Sequence, residues 1–183
     1  MMFMQSTKKS GRIGLIEVYT GDGRGKTTAA FGLALRAVGH GMNVCIVQFM
    51  KCGRYGEVVA AENLKPNLEV IQFGDKFISR DSVKDEDLIT ARKAMDYAAK
   101  AILEGKYDIV ILDEVNVALS FKLLDLNKVI DILKRKPSHV EVVLTGRYAP
   151  REIVEIADLV TEFREVKHPF RSGKLDARPG VEY

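Results

Sequence analysis

The chain has no tryptophan, two cysteines and five prolines in 183 residues. Without tryptophan, and with aromatics at 8%, it offers little of the stacking surface on which single-stranded nucleic acids are held. Cys45 and Cys52 form neither a metal-ligand spacing nor a disulfide framework, which fits a reducing compartment. No apolar run approaches the roughly 20 residues that span a bilayer. The opening MMFMQSTKKSGR lacks the apolar core of a secretory signal. A net charge of +3 is too small to argue for a polyanionic partner. The expectation is a cytoplasmic protein without nucleic-acid or membrane partners.

The chain does hold a regular alternation of apolar strands and amphipathic segments. Strands are expected at 13–19, 43–49, 68–73, 107–112 and 141–145, with an edge strand at 159–163. Helices are expected at 25–38, 84–104 (Ser82 and Asp85 marking its start), 125–135 and 150–157. Near-continuous apolar strands separated by helices predict an α/β fold, a mainly parallel sheet covered on both faces. Segments 50–66, 74–83, 115–124 and the tail after 164 are expected to be the least regular. A short arm, 1–13, precedes one domain, 14–183. His40 and His139 are expected at the surface.

The stretch TGDGRGKTT, residues 20–28, lies between the first strand and the first helix. Its end, Gly25-Lys26-Thr27, closes a phosphate-binding loop, but the usual first glycine is Thr20. Gly21, Gly23 and Gly25 let the backbone curl around an anion and approach it closely. The helix beyond points free amides and its positive dipole end at the same place. Lys26 adds a full charge, and the Thr27 hydroxyl suits a magnesium ion. VILDE, 110–114, ends the most apolar strand with two carboxylates, and Asp113 or Glu114 can hold that magnesium. From these residues alone three readings stand open: a RecA-like phosphate-loop ATPase or phosphotransferase, a nucleic-acid motor, and a transferase that uses another part of ATP.

From about Gly14 to Tyr183 the chain resembles the ATP:corrinoid adenosyltransferases of the phosphate-loop type. The resemblance rests on TGDGRGKTTAAFGLALRAVGHG (20–41), VQFMK (47–51), VILDE (110–114), LTGR (144–147), ADLVTE (157–162), VKHPF (166–170) and ARPGVEY (177–183). The threonine at position 20 belongs to that family's pattern. The resemblance implies a RecA-like fold and transfer of the 5′-deoxyadenosyl group of ATP to the cobalt of a reduced corrinoid, with release of triphosphate. It implies a nucleotide held in the reverse sense to ordinary ATPases, so that the ribose 5′ carbon is open to attack. Gly21, Asp22, Gly23, Arg24, Gly25, Lys26, Thr27 and Thr28 would cradle the triphosphate, and Arg36 would lie near the nucleotide. Lys26, Thr27 and Glu114 would carry the catalysis, and Thr27, Asp113 and Glu114 would bind Mg2+. Phe77 matches a family aromatic that displaces the lower cobalt ligand, while Ser79 replaces a tryptophan found in relatives. Arg147 is a candidate substrate contact. A reductase supplying electrons and a homodimer are the implied protein partners.

Overall fold

A computed structural model describes residues 11–74, 80–169 and 177–181. The strands are β1 (Ile16–Thr20), β2 (Val44–Phe49), β3 (Leu68–Phe73), β4 (Ile109–Asp113), β5 (Glu141–Thr145) and β6 (Leu159–Glu162). They form one six-stranded sheet in the order β3-β2-β4-β5-β1-β6. Every pairing is parallel, so the C-terminal ends of all strands share one edge, where α/β proteins place ligands. The helices are α1 (Lys26–Gly39), α2 (Gly56–Ala61), α3 (Asp85–Leu103), α4 (Val115–Ser120), α5 (Leu126–Lys134) and α6 (Arg151–Ile156).

Side chains alternate across the sheet with a period of two. Cys45, Val47, Val110, Leu112, Val142 and Leu144 face a core completed by α3, α4, α5 and α6, with Ala94, Ala98, Ile102, Leu119, Leu133 and Ile153 fully or nearly buried there. Val44, Ile46, Ile109, Ile111 and Val143 face α1, which meets them with Ala30, Ala34 and Ala37. Three alanines on one helix face let α1 lie close to the sheet, which fixes where its N-terminus points. Among the described residues, no helix is long and apolar enough to cross a membrane.

Several boundaries differ from expectation. Segments 50–66 and 115–124, expected to be irregular, contain α2 and α4; each has only six residues, too few to display a helical period. β1 starts at Ile16 because the backbone before it is tied elsewhere: the Leu15 N–H donates to the Glu141 carboxylate at 3.1 Å and the Gly14 N–H to the Ser138 carbonyl at 2.8 Å. Ser82 lies in a 3-10 turn (Arg80–Ser82) rather than capping α3. The cap is instead the Asp87 carboxylate, which accepts the Lys84 N–H at 2.8 Å. His139 is half-buried, its Nε2 3.0 Å from the Gly105 carbonyl, whereas His40 is exposed at the end of α1, as expected.

Glu141 makes the sheet sensitive to pH. Burial, with the Glu17 carboxyl beside it, pushes the Glu141 carboxyl up to about 7, against the Leu15 N–H and Arg12, which favour its charged form. The folded chain therefore keeps a proton that the unfolded chain releases near pH ~4.3. Stability from this site is complete below that value, falls as pH rises, and is gone above pH 7. Glu141→Gln, which keeps an acceptor for Leu15, is expected to flatten the pH dependence of melting between pH 5 and 8. It should stabilise the protein at pH 8 by about 1–2 kcal/mol, the full shift being discounted for solvent screening. Parallel melting curves for both proteins across that range would refute the assignment.

Candidate functional site

The phosphate loop leaves the end of β1. Thr20 is still part of that strand, which explains why a glycine is not required there: its carbonyl accepts the Phe163 N–H at 2.8 Å and its hydroxyl accepts the Ala149 N–H at 3.3 Å. Gly21 does require glycine. Its φ is +97°, and an added Cβ would meet the Phe163 carbonyl oxygen at 2.4 Å. Gly23 donates its N–H to the same Phe163 carbonyl at 2.7 Å. The loop is thus seated on the backbone that leaves β6.

Lys26 is buried at the first position of α1. Its ammonium donates to the carbonyls of Gly21 at 2.6 Å and Gly23 at 2.7 Å. Burial lowers its pKa, and the charges of Glu114, Asp22 and Asp113 oppose that. Arg147, exposed beyond β5, reaches back to the loop. It donates to the Asp22 carbonyl at 3.2 Å and lies 4.0 Å from the Asp22 carboxylate.

Opposite the loop stands Asp113, fully buried at the end of β4. Its two oxygens are shared out between four donors. Oδ1 accepts the hydroxyls of Thr27 at 3.0 Å and Thr145 at 2.6 Å. Oδ2 accepts Gln48 Nε2 at 2.9 Å and Lys51 Nζ at 2.8 Å. Gln48 is fixed in turn by Gln72, whose Nε2 donates to Gln48 Oε1 at 3.0 Å. These three side chains form a row because Gln72, Gln48 and Asp113 stand opposite one another in the β3-β2-β4 register. Burial would raise the Asp113 pKa, but the Lys51 charge and the hydrogen bonds from Lys51, Thr145 and Gln48 outweigh it and hold the carboxylate ionised. Glu114 shifts the other way: burial, with the Asp113 charge beside it, raises its pKa. It has φ +65°, and its N–H donates to Thr145 Oγ1 at 3.0 Å.

Beyond the loop lies a cleft of about 410 Å³, lined by Arg24, Arg164, Lys167 and Arg178 together with His168 and a single acid, Glu165. Arg24 also donates to the Val181 carbonyl. The site therefore has two parts: a basic cleft that includes Arg24 of the loop, and a fixed carboxylate–hydroxyl pair, Asp113 and Thr27, at the start of α1.

The sequence as a whole points the same way. A family model described as ATP:corrinoid adenosyltransferase BtuR/CobO/CobP matches residues 12–183. The chain belongs to this family. It is 41% identical to a corrinoid adenosyltransferase of Sinorhizobium sp over 182 residues, which is 96% of this chain and 83% of the relative. It is 38% identical to the corrinoid adenosyltransferase of Escherichia coli (strain K12) over 172 residues, 93% of this chain and 86% of that one. The same identity and coverage hold for the corrinoid adenosyltransferase CobA of Salmonella typhimurium.

Within this family member, the structure brings together most of the residues singled out from sequence. Gly21, Asp22, Gly23, Arg24, Gly25, Lys26 and Thr27 form the loop and the start of α1, with Asp113 and Glu114 facing them. Thr28 is exposed on the first turn of α1. Arg36 stands apart: it is exposed in the last turn of α1, ten residues and so about 15 Å along the helix from Lys26. Phe77 and Ser79 lie outside the described residues. Not singled out from sequence were Gln48, Lys51, Gln72 and Thr145. A signal for two of them was present: VCIVQF and LEVIQF each carry a glutamine at the same point of an otherwise apolar strand. A polar residue repeated where neighbouring strands end marks a buried network.

Proposed function

We propose that this chain uses the loop 21–28 to hold the triphosphate of ATP while the 5′-deoxyadenosyl group passes to the cobalt of a reduced corrinoid, with inorganic triphosphate released. The observation that carries the proposal is the pairing of Thr27, next to the loop-held Lys26, with the buried carboxylate of Asp113, in a chain matched to the adenosyltransferase family over residues 12–183.

The chemistry asks little proton transfer of the protein. Cobalt(I) attacks carbon as a nucleophile that carries no proton, so no general base is needed at that step. The barrier lies on the leaving side, where negative charge grows on the triphosphate oxygens. The amides at the start of α1 and the Lys26 ammonium, held at the loop by the Gly21 and Gly23 carbonyls, would stabilise that charge. The cleft cations Arg24, Arg164, Lys167 and Arg178 extend the same field along the polyphosphate. The rest is the positioning of two large substrates.

Thr27 and Asp113 also fit a hard divalent cation. Both offer oxygen, one is an ionised carboxylate, and an ammonium already stands on the pair. Mg2+ typically takes one or two protein oxygens and completes its shell with phosphate and water. When bound there, Mg2+ would neutralise part of the charge on the departing triphosphate. Glu114, next to Asp113, would complete the acidic end of the site. A separate reductase would deliver the cobalt(I).

The test is to incubate the protein with ATP, Mg2+ and chemically reduced cob(I)alamin and to identify the products. Adenosylcobalamin and triphosphate in equal amounts, both dependent on the corrinoid, are expected. ADP and phosphate formed at the same rate without corrinoid would establish the ATPase alternative instead.

A further inference from the structure

Lys51 is the cation of the Asp113 cluster, and the phosphate-loop chemistry leaves it unexplained. It sits two residues past the end of β2, beyond the last residue paired with β4. Met50 has φ +54°, a left-handed conformation uncommon outside glycine. The turn is packed so tightly on Gly74 that a Cβ there would meet Lys51 N at 2.7 Å and Met50 C at 2.8 Å. Such a turn has a local cost, and what it achieves is the delivery of one ammonium to 2.8 Å from Asp113 Oδ2 and 3.2 Å from Thr27 Oγ1. Those are the two residues whose oxygens fit Mg2+.

We propose that Lys51 is a resident counter-cation on the metal-binding pair, so that a divalent ion enters by exchange with its ammonium and not by simple addition. The inference rests on the metal reading of Thr27 and Asp113. An ionised carboxylate as buried as Asp113 is costly to leave without a partner, so a cation must stand on it at every stage. The two partners differ in freedom: the Asp113 side chain is fully buried, while that of Lys51 is 20% exposed. Lys51 is therefore the group that moves. Exchange makes the divalent ion weakly held by the protein alone. It becomes favourable when triphosphate oxygens supply the remaining ligands, which ties metal uptake to nucleotide uptake.

The test uses the full chain without nucleotide or corrinoid, and so stands apart from any measurement of adenosyl transfer. Mn2+ binding is titrated by EPR for wild type, Lys51→Met, Lys51→Gln and Lys51→Arg, and melting temperatures are recorded with and without Mg2+. Both uncharged variants are expected to bind Mn2+ at least tenfold more tightly than wild type, while Lys51→Arg stays within a few-fold of it. Lys51→Met and Lys51→Gln should melt earlier than wild type without Mg2+ and recover with it, or fold only in its presence; wild type should hardly respond. If the uncharged variants bind Mn2+ no more tightly than wild type, or if Mg2+ restores none of their stability, Lys51 is only a structural partner of Asp113 and the exchange is overturned.

Discussion

Lys26→Ala is expected to lower kcat/KM for corrinoid adenosylation by about a thousandfold or more, corresponding to roughly 4 kcal/mol of transition-state stabilisation. The ammonium is buried and held by two loop carbonyls, so its position does not depend on a flexible side chain finding its target. Charge placed in advance where a leaving group gains charge acts on the barrier directly, and alanine removes it without a substitute. Lys26→Arg should recover little. The planar guanidinium is bulkier than the ammonium that fits between the Gly21 and Gly23 carbonyls, and arginine and lysine are not interchangeable at such points. The readout is the appearance of adenosylated corrinoid by absorbance, with melting temperature as a control for folding. Turnover within tenfold of wild type in a normally folded Lys26→Ala protein would remove the loop from the mechanism.

The second large effect is expected at Asp113, and here stability changes as well as activity. Asp113→Asn is nearly isosteric, but it removes the charge. Oδ1 faces two hydroxyls and Oδ2 faces two N–H donors. An asparagine can keep its carbonyl towards Gln48 and Lys51 only by turning its NH2 to Thr27 and Thr145, whose hydroxyls must then rotate from donors to acceptors. The Lys51 ammonium also loses its counter-charge. Removing one partner of a buried ion pair costs about 3–5 kcal/mol, and adenosyl transfer should fall below detection. Chemical denaturation and activity on the same preparation provide the check. A loss of less than about 1 kcal/mol would mean that the carboxylate is not charged in the folded protein.

These two residues also show what was legible in the sequence. Lys26 lies in a local motif whose spacing is its own evidence: glycines, lysine and threonine between a strand and a helix. Asp113 was legible because it ends the most apolar strand. The parallel sheet followed from strand composition, and its extents at 68–73 and 141–145 agree with β3 and β5. What escaped was non-local. Lys51 reaches Asp113 across 62 residues, and Thr145 across 32; no spacing rule links them until the sheet order sets β2 and β5 on either side of β4. The short helices α2 and α4 escaped for a different reason, since six residues span less than two turns. Arg36 differs again: its expected place near the nucleotide came from the resemblance alone, and it lies exposed in the last turn of α1.

The loop rests on the last strand. Gly23 hangs from the Phe163 carbonyl, and Phe163 hangs from Thr20, so residues near the two ends of the chain are stitched to each other. A polypeptide emerging from the ribosome can form β1 and α1 early, but the loop gains this seat only once the segment after Glu162 has been made and has docked.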